Sequence, residues 1–169
     1  LFRSKKFLKT IVIAVIIILL LAQFLPKSNN NNGDSSMPAS IETSHKVPAD
    51  VAAILKTSCY DCHSNHTTYP WYANIQPVSK WLSNHVDEGK EELNFSEFGN
   101  YSLRRQYHKL EEISTQVQED EMPLSSYTLI HSNASLNEAQ KKTIYNWISN
   151  LRDSFKLAYP ADSLKRKRR

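Results

Sequence analysis

Two cysteines stand in the whole chain, three positions apart, and a histidine follows the second at once: Cys59-Tyr60-Asp61-Cys62-His63. No other feature constrains the fold as much. Two cysteines are too few for a disulfide framework, so the pair points to covalent haem attachment, half of a metal site, or a dithiol. In the first case the two thiols add across two vinyl groups of one macrocycle edge, and His63 turns under the iron as an axial ligand. The other nitrogen of His63 should then donate to a carbonyl or carboxylate that fixes the ring, and the loop between Pro70 and Pro77 is the expected source. A structural zinc site would need two more ligands at similar spacing, and no second cysteine pair is present. A thioredoxin-like dithiol would need a βαβ context. An inert buried pair is the bland alternative.

The N-terminus sets the expected compartment. Every residue from Ile11 to Ala22 is apolar, and Phe7, Leu8, Phe24 and Leu25 extend the run to about 19 residues, close to the length that crosses a bilayer. The expectation is an uncleaved anchor over residues 1–27, with a cleaved secretory signal as the alternative, although no A-x-A-like site follows the run. Arg3, Lys5, Lys6 and Lys9 before it, against Lys27 after it, predict a cytoplasmic N-terminus and an exported, periplasmic remainder. Residues 28–45, with four consecutive asparagines, read as a flexible linker.

The next stretch, residues 46–158, reads as an all-α domain. Val51, Ala52, Ile54 and Leu55 mark a helix that begins near Pro48 and delivers Cys59. Val78, Trp81, Leu82 and Val86 mark a second, with Gly89 as its expected stop. Leu103, Tyr107, Leu110, Ile113 and Val117 mark a third. Ser135 and Glu138 suggest a capping box ahead of a fourth, running through Trp147 to about Phe155. Residues 159–169 read as a basic tail. Nine of the 21 basic residues stand before the apolar run or close the chain, leaving 12 against 17 acidic ones between. That balance excludes a nucleic-acid-binding body and suits a redox partner with a basic docking face.

The iron's second axial position has one favoured occupant. Met122, beside Pro123, lies in a polar loop between the third and fourth helices, and its thioether would give a His/Met iron, which suits electron transfer. Covering the haem edge or filling core is the alternative role. Met37 lies in the linker and is a poor candidate. His85 is the strongest rival among His45, His66, His85, His108 and His131. Trp71 and Tyr72 are candidate pocket residues whose N–H and O–H groups can reach propionates, and Trp81 could join them. Trp147, on an apolar helical face, is expected in the core. Arg104 and Arg105 are propionate partners or, more ordinarily, solvated.

These residues together resemble the bacterial haem-binding domain family, small exported c-type cytochrome-like proteins. The resemblance rests on Cys59 to Asn65, Tyr69-Pro70-Trp71-Tyr72, Pro77-Val78-Ser79, His85 to Gly89, Leu93-Asn94-Phe95-Ser96, Met122-Pro123, Tyr127, His131 and Trp147. It covers about residues 47–150 and implies one haem c on Cys59 and Cys62, His63 on the iron and, by similarity to small cytochromes c, Met122 opposite. The expected fold is a transmembrane helix followed by a small cytochrome c-like helical domain. The expected function is one-electron transfer without a small-molecule substrate. A haem-based gas or redox sensor with an open sixth position is the alternative; a peroxidase would need an acid/base residue that the sequence does not identify.

Overall fold

The computed structural model describes residues 2–26 and 37–165, with side chains from Lys5 onward. Among the described residues there are helices and no strands. The first helix, α1, spans Phe2–Ala22. It ends earlier than the apolar run: the amides of Gln23, Phe24 and Leu25 bond carbonyls three residues back, which tightens the chain into turns. Among the described residues no helix is long and apolar enough to cross a membrane. The reason lies within α1, where Lys5, Lys6 and Lys9 occupy the first turns and the unbroken run Ile11–Ala22 is about 18 Å long, against roughly 30 Å of hydrocarbon.

The expected linker ends sooner than its composition suggests. Residues 28–36 lie outside the described part, but Ser40 caps a short helix, α2 (Ile41–Ser44), whose Ile41 is fully buried. This turn packs on a 3₁₀ segment, Phe95–Asn100, where the Gly99 amide donates to the Ala39 carbonyl at 2.7 Å. Residues 40–45 therefore belong to the folded body.

Helix α3 (Ala49–Ser58) comes next, with Pro48 as its N-cap and Val51, Ile54 and Leu55 buried. Cys59, with φ −126° and ψ −40°, breaks the helical path, and one further turn, α4 (Tyr60–His63), carries the rest of the motif. After a 3₁₀ turn at Trp71–Asn74 comes α5 (Val78–Glu92). It runs a turn past Gly89, which is not its stop. A Cβ on Gly89 would sit 2.7 Å from the Cys62 carbonyl oxygen, so glycine is there to let α5 approach α4.

Helix α6 (Leu103–Gln118) begins where Ser102 Oγ accepts from the Arg105 amide. A single turn, α7 (Ser125–Thr128), leads to α8 (Glu138–Ala158). The capping box of α8 is formed by Asn137 and Gln140 rather than Ser135 and Glu138. The expected basic tail starts with structure as well: α9 (Ala161–Leu164) buries Leu164 against α6. Leu55, Phe95, Phe98, Leu110, Ile144 and Ile148 centre the core, each worth roughly 1.5–3 kcal/mol on burial. Trp147 is in it as expected, its indole N–H reaching the Lys46 carbonyl at 3.4 Å.

Candidate haem site

The bend at Cys59 determines how the motif is presented. With α3 ending there and α4 lasting one turn, Cys59, Cys62 and His63 open onto common space instead of winding around one helix. The loop after α4 is tied down by polar contacts: the Asn65 amide donates to Ser96 Oγ at 3.0 Å, Asn65 Nδ2 to Glu97 at 2.9 Å, and Asn94 Nδ2 to Asn65 Oδ1 at 2.7 Å. These bonds hold residues 93–97 against α4.

That placement fixes His63. Its Nδ1 lies 2.8 Å from the Gly89 carbonyl oxygen and 3.0 Å from that of Leu93. Carbonyls only accept, so Nδ1 carries the proton and Nε2 keeps its lone pair for a metal. Burial is the largest influence on the ring and lowers its pKa, opposed by the two carbonyls, with Lys109 lowering it further. The clamp anticipated for this histidine exists, but α5 and the residue after it supply it, not the Pro70–Pro77 loop.

Two adjoining cavities, of about 360 and 330 Å³, share Cys59, His63, Glu92 and Met122 in their walls. The first is closed by Leu93, Phe95, Ile113 and Val117. The second is closed by Cys62, His85, Pro123, Leu124 and Tyr127. Each lies within the roughly 300–1,000 Å³ of cofactor-sized sites. Lys109, held by Glu92 at 3.2 Å and Glu112 at 2.7 Å, stands on the first cavity's wall. Largely apolar walls, two thiols, a thioether and an imidazole with a free nitrogen form a donor set that fits a haem.

Burial keeps both thiols protonated. They form no disulfide. Burial, with Cys62 adding to it, pushes the Cys59 thiol up to about 12; burial and then Asp61 push Cys62 up to about 11. Among the described residues no group of three or more His, Cys, Asp or Glu side chains is placed to hold a metal ion.

Met122 comes to the cavity because its amide and that of Glu121 both bond the Gln116 carbonyl, folding the chain back past the end of α6. Trp71 and Tyr72 do not line it. Trp71 is 76 % exposed, and Tyr72 turns toward His131, with its hydroxyl 3.4 Å from Nε2. Arg104 bonds the carbonyls of Lys165 and Asp162, and Arg105 stacks on Tyr101, so both serve the body. His45 pairs with Gln106 at 2.9 Å among Phe98 and Phe155.

Residue chemistry alone singles out neither Tyr127 nor the two carbonyls. The Tyr127 hydroxyl donates to Asp61 inside the motif at 2.6 Å, its ring stacks on His131 at 4.3 Å, and burial, then this bond, raises its pKa. Its one signal in the sequence is its place in the family pattern. No curated protein and no solved structure matches the chain. A family model described as a haem-binding domain does, over residues 17–150, from the last turns of α1 into α8. A match over so much of the chain, reaching across every wall of the cavity, places this protein in the haem-binding domain family.

Proposed function

We propose that this chain is a monohaem c-type electron carrier, held at a membrane on its exported side. The clamp on His63 carries the reading: a half-buried imidazole fixed through Nδ1, in a cavity walled by both cysteines and Met122. Cys59 and Cys62 would hold the haem through thioether bonds, each thiol adding S–H across one vinyl double bond with no leaving group and no oxidant. His63 Nε2 and Met122 Sδ are the donors that would hold the iron, and Leu93, Phe95, Ile113 and Val117 would keep water from it. When bound, the haem supplies a one-electron ferric/ferrous couple, with a potential that a thioether raises relative to a second imidazole. α1 supplies the attachment: its side chains from Ile11 to Leu21 are exposed and apolar, and lipid is the solvent that suits them.

A second occupant of the sixth position has one observation behind it. His85 lines the same cavity as Met122, and its Nδ1 donates to the Trp81 carbonyl at 3.0 Å, leaving Nε2 for a metal. A His85-ligated or displaceable site would suit a sensor. Spectra of the protein made with a c-type maturation system separate these. The carrier reading predicts a low-spin iron with a sulfur-to-iron charge-transfer band that Met122→Ala removes and His85→Ala keeps. A high-spin wild type that binds carbon monoxide readily would overturn it.

A further inference from the structure

The end of α1 is not free of the folded body. Gln23 Oε1 accepts from the Gln76 amide at 3.0 Å, Gln23 Nε2 donates to the Gln76 carbonyl at 3.0 Å, and Gln76 Nε2 reaches the Pro26 carbonyl at 3.3 Å. Gln76 itself is buried. Near it in the chain stand exposed apolar and aromatic residues, Trp71 and Ile75 before it and Val78 and Trp81 after it, with Asn74 and Pro77 exposed between them, and Phe24 and Leu25 just past α1 are exposed too. Lys80 stands exposed among them.

We propose that this face rests on the surface of a phospholipid bilayer, so that the haem-binding body sits flat on lipid beside α1 instead of hanging from the segment between them. The proposal rests on the membrane reading of α1. Three features select lipid as the occupant. The patch is continuous with the apolar helix through the Gln23–Gln76 pair, so whatever solvent takes α1 meets Trp71 and Trp81 next. Tryptophan is the residue whose amphipathic ring settles at headgroup depth. A lysine among the aromatics suits an anionic headgroup, whereas lysine is depleted in the core of a protein interface.

The test uses the full, haem-loaded chain in its ferrous form, labelled with 5-fluorotryptophan and placed in nanodiscs of phosphatidylcholine and phosphatidylglycerol. Of its three tryptophans, Trp147 lies in the core and serves as the internal control. Resonances are assigned with Trp71→Phe and Trp81→Phe. Lipid carrying a headgroup spin label should remove most of the Trp71 and Trp81 fluorine signal and spare that of Trp147. If the nanodiscs hold the chain but all three signals persist, or all three fade alike, seating on lipid is wrong while α1 remains an anchor. If the nanodiscs do not hold the chain, both readings fall together.

Discussion

Around α6 and α8 the chain fills its own interior, whereas around α4 it does not. Leu110, Ile144 and Ile148 are fully buried between the two long helices, and α9 closes over them with Leu164. The motif turn α4 touches α3, α5 and the Phe95–Asn100 segment, yet none of its four residues is fully buried. One half is a core in the ordinary sense. The other is a set of walls, held in place by hydrogen bonds to backbone and by glycine, around space that a large apolar group must fill. Stability and cofactor binding should therefore separate under mutation.

Ile148→Ala tests the first half. Removing a fully buried isoleucine should cost about 2–5 kcal/mol and lower Tm by many degrees, while the visible spectrum of the haem stays as in the wild type. A changed axial-ligand spectrum in that variant would mean that the two halves are coupled. Gly89→Ala tests the second half. The new methyl meets the Cys62 carbonyl and pushes α5 from α4, at a cost of about 1–3 kcal/mol by overpacking. Because Gly89 also supplies a carbonyl to His63, this smaller loss should come with a shifted spectrum.

The smallest effect is on pH dependence in the Cys59→Ala, Cys62→Ala chain without haem. Burial lowers the folded pKa of His63 below its ordinary 6.5, so the unfolded chain binds the proton first. Its neutral form contributes stability fully above pH 6.5, and that contribution is lost as pH falls through the lower folded value. Chemical denaturation should show stability declining with acid below about pH 6.5, and His63→Gln in the same background should flatten the decline. An equal decline in both would assign it to another group.

The motif half was largely readable from side chains, whereas the clamp that organises it was not. Cys59, Cys62, His63 and Met122 each have a side-chain chemistry that names a role, and the structure brings all four to one cavity. The partners of His63 are main-chain carbonyls, and any residue has one. Only the register of α5 against α4 decides which two are used. Gly89 was visible but ambiguous, since a glycine after an amphipathic stretch looks like a stop and a glycine at a helix contact looks the same. Trp71 and Tyr72 lie close to the motif in sequence, but the 3₁₀ turn that carries them leaves Trp71 exposed and turns Tyr72 toward His131. The end of the linker was hidden by composition: Ile41 is one apolar residue among polar ones, and its burial depends on the Phe95–Asn100 segment far along the chain.

Every functional step proposed for this chain depends on Cys59 and Cys62 both bonding one haem. Intact mass under denaturing conditions, on protein made with a c-type maturation system, tests that bond most directly. The wild type should carry the mass of a single haem that neither acid nor detergent removes. Cys59→Ala and Cys62→Ala singly should each keep it by one remaining bond, and the double variant should carry none. An unmodified wild-type mass, with haem lost on unfolding, would contradict covalent attachment.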